Sequence, residues 1–146
     1  MQRTSGPIRW GHTLMELVLV CAIVALVSLA GARGLAHHLD RLAVSDAVAD
    51  AGALMARARD EALARHAIAS VRIDTARAML TLYCQGDRIA DRPLGRVHGV
   101  SLRASRDSIV FDVRGLGYGA GNLTLVARRG QAADTLVLSR LGRVRY

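Results

Sequence analysis

The sequence predicts an α+β fold in which one long N-terminal helix packs against a C-terminal antiparallel β-sheet. Two observations lead to it. No proline interrupts the chain from Met15 to Arg92, and up to about His66 it is dominated by the helix formers Ala, Leu, Arg and Glu. After Ala67 the hydrophobic period changes to two, and turn residues recur between short alternating runs. A third observation, the uneven placement of charge, divides the chain further.

With 146 residues there is material for one domain and not comfortably two. A hydrophobic content of 51% excludes a disordered polymer, and an aromatic content of 3% makes any core aliphatic. Two cysteines, Cys21 and Cys84, exclude a disulfide scaffold. The formal net charge is +8, and every strong base is arginine, since the chain has no lysine. Residues 1–11 hold Arg3 and Arg9, and residues 12–32 hold only Glu16. Residues 33–69 balance five arginines with five acids, whereas residues 70–146 hold 13 arginines and six acids. The organisation is therefore a short basic head (1–11), an apolar span (12–32), an amphipathic continuation of the same helix (33–66) and a basic β domain (67–146).

The apolar span is the strongest feature. Leu17 to Ala32 reads LVLVCAIVALVSLAGA, with Ser28 its only conventional polar side chain. From His12 to Ala32 the span has 21 residues, about 31 Å as a helix, which matches a bilayer core of about 30 Å. Arg3 and Arg9 before it favour a cytoplasmic N-terminus, with the rest of the chain on the far side. Glu16 stands at the start of this span. A carboxylate in hydrocarbon costs several kcal/mol, so Glu16 either lies hydrated at the interface or marks a function.

Beyond Arg33 the helix continues. Val44, Ala47, Ala51, Leu54, Ala58 and Ala62 recur at steps of three and four, widened by Val48 and Met55, while Asp46, Asp50, Arg57, Asp60 and Glu61 fall largely on other faces. A helix from His12 to His66 would be about 80 Å long, with Gly31 and Gly34 as a soft point. The runs 70–73, 79–84, 100–103, 108–113, 123–127 and 135–138 read as strands. Between them lie the turn signals Gln85-Gly86-Asp87, Arg92-Pro93-Leu94-Gly95, Ser105-Arg106-Asp107 and Arg129-Gly130-Gln131, and a Gly-rich loop spans Gly115–Asn122. An antiparallel sheet covering the 44–62 face of the helix follows.

The stretch Gly11-His12-Thr13-Leu14-Met15-Glu16-Leu17 resembles the processing site of type IV prepilins and type II secretion pseudopilins. That family pairs a short basic leader ending in Gly with an aromatic residue, Thr-Leu, a Glu fifth after the cut and an apolar helix. Here Gly11, Thr13, Leu14 and Glu16 match, His12 stands where Phe is usual, and Arg33 takes the place of a frequent Pro. The resemblance implies a pilin-like fold and cleavage between Gly11 and His12 by a membrane-embedded prepilin peptidase, which methylates the new amine of His12. It also implies a single-pass inner-membrane anchor with the β domain in the periplasm. Assembly with other pilin or pseudopilin subunits would proceed through Thr13, Leu14 and Glu16, with Glu16 meeting the N-terminal ammonium of a neighbour.

The rest of the chain is similar to the type II secretion protein H and FimT-like branch. Leu54-Met55-Ala56-Arg57-Ala58-Arg59-Asp60-Glu61-Ala62-Leu63 resembles its helix ending, followed by Val71-Arg72-Ile73 as the first strand. Phe111 before a Gly-rich turn, Leu123-Thr124-Leu125 and Leu136–Ser139 continue the likeness. The branch implies one of two roles: a subunit of the secretion pseudopilus, or a minor pilin of type IV pili, some members of which bind DNA in natural transformation. A Gly-Arg-x-Arg motif accompanies that binding, and Gly142-Arg143-Val144-Arg145 matches it.

The motif has a physical reading of its own. Two residues along a strand is a step of about 6.7 Å, so Arg143 and Arg145 share a face at a spacing comparable to successive phosphates. Arginine suits bidentate phosphate contact, and Arg128, Arg129 and Arg140 could widen the patch toward double-stranded DNA. Such contacts would be salt-sensitive and largely independent of sequence. The bland alternative is a solvated face, since any exposed base in this chain is arginine.

Catalysis is not expected. His37 and His38 diverge by about 100° on a helix, His98 lies in a loop with no ligand at metal spacing, and no nucleophile elbow or phosphate-binding Gly-Lys-Ser pattern occurs. No metal site and no cofactor is expected. Cys84 reads as a small buried hydrophobe. One other reading uses the N-terminal residues differently. Arg3, Arg9, the apolar run and Ala30-Gly31-Ala32 imitate a secretory signal, which would leave a soluble protein beginning near Arg33.

Overall fold

The computed structural model describes residues 13–118 and 122–145. The expected leader 1–11, the cut at Gly11/His12, the middle of the Gly-rich loop and Tyr146 lie outside the described residues. Two compact units are distinguished, residues 1–36 and 37–146.

Helix α1 spans Leu14–Ala64, 51 residues, and runs through Gly31 and Gly34 without a break. Thr13 caps its start. The Glu16 backbone N–H donates to the Thr13 hydroxyl at 3.3 Å and to the Thr13 carbonyl at 3.0 Å. Thr-x-x-Glu is the spacing of a capping box, and an acid in the first turn complements the helix dipole. In the first unit, the large apolar side chains from Leu14 to Leu35 are exposed on every side. A stretch of this length and apolarity is able to cross a membrane.

In the second unit the helix becomes one-sided. The eight residues of the predicted stripe (Val44, Ala47, Val48, Ala51, Leu54, Met55, Ala58 and Ala62) are all buried. The helix stops at Ala64 because His66 turns left-handed at φ 48° and the Ala67 N–H reaches back to the Ala62 carbonyl at 3.1 Å.

The chain then forms β1 (Ala69–Asp74), β2 (Met79–Cys84), β3 (Asp87–Arg92), the short helix α2 (Leu94–His98), β4 (Ser101–Ala104), β5 (Ser108–Phe111), β6 (Leu123–Arg129), β7 (Ala132–Leu138) and β8 (Val144–Arg145). These strands build two four-stranded antiparallel sheets where one was expected, in the orders β3-β2-β1-β5 and β4-β6-β7-β8. The division falls between β4 and β5. Short strands adjacent in sequence pair with distant partners, β4 with β6 and β5 with β1. Leu80, Leu82 and Phe111 of the first sheet and Leu102, Leu125 and Leu136 of the second enter the same core as the helix stripe, and Cys84 is buried there too.

Two elements were not foreseen. Strand β3 reads Asp-Arg-Ile-Ala-Asp-Arg, and it tolerates four charges because it is a sheet edge. Its hairpin with β2 turns on Gln85 (φ 55°) and Gly86 (φ 93°), the two positive φ angles of a type I′ loop. Helix α2 fits between Pro93 at its N-cap and Gly99 in the left-handed conformation at its C-cap.

Candidate functional site: the outer face of the second sheet

Alternation along each strand of the second sheet sends aliphatic residues inward and leaves the others outward. In β4, Leu102 is buried while Ser101 and Arg103 are exposed. In β6, Leu123, Leu125 and Ala127 are buried, which puts Thr124, Val126 and Arg128 outside. In β7, Ala133, Thr135 and Val137 face out, and in β8 Val144 packs toward the core with Arg143 and Arg145 exposed on either side. The register ties these positions together. Ser101 lies opposite Arg128, Arg103 opposite Val126, Thr124 opposite Val137, and Val137 opposite Arg145. One outer face therefore carries Arg103, Arg128, Arg143 and Arg145.

No acidic residue stands at an outward position of this sheet among the described residues. The only acid in its strands, Asp134, is opposite buried Ala127 on the inner parity. Among the described residues, no ion pair joins any of the four arginines to a carboxylate. The outer face of the first sheet is different. There the Arg88 guanidinium bonds both carboxylate oxygens of Asp91, and Arg77 lies 3.9 Å from Asp74. Arg88, together with the Thr81 hydroxyl, holds the Asp91 carboxyl below the usual carboxylate range despite some burial. The surplus of arginine over acid is thus concentrated on the second sheet.

The turn carrying the Gly-Arg-x-Arg motif is tightly built. Gly142 N–H donates to the Ser139 carbonyl at 2.9 Å, Ser139 N–H to the Arg143 carbonyl at 2.9 Å, and Arg143 N–H to the Ser139 hydroxyl at 3.2 Å. Gly142 has φ +73°, and a Cβ there would lie 3.2 Å from the Gly115 carbonyl oxygen and 3.3 Å from Cδ of Arg59. Arg59 reaches up from α1 beneath this turn and beneath Gly115, with its Nε buried. The neighbouring turn is anchored by Asp112, whose carboxylate accepts the N–H groups of Leu116 and Arg114, each at 2.9 Å. These backbone bonds, the one from Leu116 first, and the Arg114 guanidinium lower the Asp112 pKa.

The sequence-predicted residues separate accordingly. Arg128, Arg143 and Arg145 share the face, and Arg140 is exposed in the β7–β8 turn, where Asn122 holds its N–H at 3.2 Å. Arg129 is not with them. It lies on the opposite parity, its Nε 2.9 Å from Asp40 Oδ1 and its Nη1 donating to the His98 carbonyl at 2.8 Å. Arg103 escaped the sequence reading. Its signal was the alternation Ser101-Leu102-Arg103, which could be used only once β4 was known to pair with β6. His98, read as a loop residue, is instead the last residue of α2, with a side chain 15% exposed and Nε2 2.9 Å from Asp50 Oδ2. Thr13, Leu14 and Glu16 form the first turn of α1, while Gly11 and His12 lie outside the described residues. Among the described residues, no cluster of His, Cys, Asp or Glu is arranged to hold a metal ion.

Comparison with solved structures settles the architecture. The crystal structure of the type IV minor pilin FimU from Pseudomonas aeruginosa superposes with a TM-score of 0.59 at 16% identity, covering 70% of this chain and 86% of that one. The chain has a type IV pilin-like fold. A second crystal form of FimU gives a TM-score of 0.56 at 14% identity, covering 69% of this chain and 90% of that one. No family model and no curated protein matches the sequence. At these identities the likeness is one of fold.

Proposed function

We propose that this protein is a minor pilin or pseudopilin subunit, which assembles into a type IV pilus or a type II secretion pseudopilus. The observation that carries the reading is the joining of a pilin-like fold to an apolar helix that begins, directly after Gly11-His12, with Thr13-Leu14-Met15-Glu16. In this reading prepilin peptidase cuts between Gly11 and His12 and methylates the new amine. Residues 12–32 hold the subunit in the inner membrane, with the β domain periplasmic. Assembly then brings Glu16 to the N-terminal ammonium of a neighbouring subunit. Opposite charges attract strongly at low dielectric, but desolvation offsets much of the gain, so the pair sets register more than it adds stability. No step in this work calls for catalysis or a cofactor.

The test is N-terminal sequencing of the protein recovered from membranes of cells that express a prepilin peptidase. A start at His12 is expected; a start at Met1 or Arg33 refutes the reading. Glu16→Val should insert in the membrane and fail to enter a filament, and normal incorporation of that variant would overturn the role given to Glu16.

A second reading is favoured by the carboxylate-free arginine face: the subunit also binds double-stranded DNA through Arg143 and Arg145, with Arg128 and Arg140 at their side. Full-length protein in uncharged detergent should bind duplex DNA more weakly as salt rises. The reading fails if Arg143→Gln/Arg145→Gln binds as well as the parent.

A further inference from the structure

The face that holds the C-terminal motif also holds a second arginine pair that the motif does not predict. Arg103 on β4 and Arg128 on β6 are diagonal neighbours across one strand pairing, because Arg128 is opposite Ser101 and Arg103 opposite Val126. Strand spacing and rise put their Cα atoms about 8 Å apart, close to the step between Arg143 and Arg145. From Arg128 to Arg145 is two strands across and four residues along, about 16 Å. The side chains between the two pairs are Thr124, Val126, Ala133, Thr135 and Val137, all short and uncharged. Nothing long projects from the floor that separates them.

We propose that Arg103 and Arg128 form a second phosphate-contact cluster and that the ligand is a duplex lying across the second sheet from β4 to β8. The inference rests on the DNA-binding reading above and adds to it a second contact cluster and the path that the duplex takes across the sheet. Three features support it. Both pairs repeat the spacing of successive phosphates on one strand, and their separation suits a ligand with two backbones flanking a groove, the major groove being about 12 Å wide. Guanidinium groups so close without a carboxylate repel one another, a cost that a polyanion removes. No aromatic side chain stands at an outward position of this sheet among the described residues, so there is no platform for stacking unpaired bases.

The test uses full-length protein in uncharged detergent micelles and labelled 24-base-pair duplex and 24-nucleotide single strands at low and moderate salt. The variants are Arg103→Gln/Arg128→Gln and Arg143→Gln/Arg145→Gln. Arg72→Gln/Arg96→Gln removes the same charge from outside the face. All these side chains are exposed, and thermal unfolding should confirm that each variant is folded. Each pair on the second sheet should lower duplex affinity about tenfold or more and reduce the salt slope by about two, one per lost phosphate contact. The control pair should stay within about threefold of the parent, as expected for weak long-range charge effects. If Arg103→Gln/Arg128→Gln matches the control while Arg143→Gln/Arg145→Gln loses binding, the second cluster is refuted and the DNA reading stands. If the parent does not bind duplex, or Arg143→Gln/Arg145→Gln binds normally, the DNA reading itself fails and takes this inference with it. Equal affinity for single strands would overturn the duplex assignment.

Discussion

At the scale of single residues, two positions around the motif turn show what the backbone demands. Gly142 combines φ +73° with a floor made by the Gly115 carbonyl and the Arg59 stem. Gly142→Ala should therefore cost about 1–3 kcal/mol, from left-handed strain plus the close approach, and a fall in thermal midpoint would register it. Asp112 makes a prediction about pH. Its folded pKa is lowered chiefly by the Leu116 N–H, so its contribution is complete above the ordinary Asp value near 3.9 and is lost as pH falls through the lower folded value. Protection of the Leu116 and Arg114 amides, taken relative to their intrinsic exchange rates, should drop in that acid window and not above it, whereas Asp112→Asn should show the lower protection at neutral pH. Residue pairs also mark how far the sequence could be read. Arg128 and Arg129 are adjacent in a strand and so must face opposite ways, which by itself predicts that one of them leaves the outer face. Which one leaves is decided by the buried parity of Leu123, Leu125 and Ala127 and by the waiting carboxylate of Asp40.

At the scale of elements, legibility followed the physics of each signal. The helix stripe was plain because aliphatic residues at three- and four-residue steps leave little alternative, and all eight are buried. Leu54 is 1% exposed in that stripe; Leu54→Ala should cost about 2–5 kcal/mol in chemical denaturation. Edge strand β3 gave no such signal, because an edge exposes its residues and accepts charge. Helix α2, at five residues, is shorter than any periodic pattern can reveal. The parting of β4 and β5 into different sheets is decided by long-range pairing, which local pattern does not encode. The same gap concealed Arg103, whereas Arg143 and Arg145 were readable because both lie within one short motif.

At the scale of the whole molecule, the buried core of the described residues lies within residues 37–146, from Val44 to Leu138. The described large apolar residues of the preceding unit are exposed. A fragment beginning at His37 should accordingly melt cooperatively, with a midpoint close to that of the full chain in detergent, as followed by circular dichroism. Loss of the transition would show that the core borrows stability from residues before 37. The charge plan has the same large-scale character. Ion pairs such as Arg88 with Asp91 and Arg129 with Asp40 neutralise arginine off that face, leaving the outer face of the second sheet as the positive pole of the unit.

That pole limits how copies of the chain can meet. Two molecules pressed together through their second sheets would set bare guanidinium groups against one another with no acid to mediate. Self-recognition through this surface is thereby disfavoured, and in any array built from identical neighbours it is left open to whatever negative body approaches from outside.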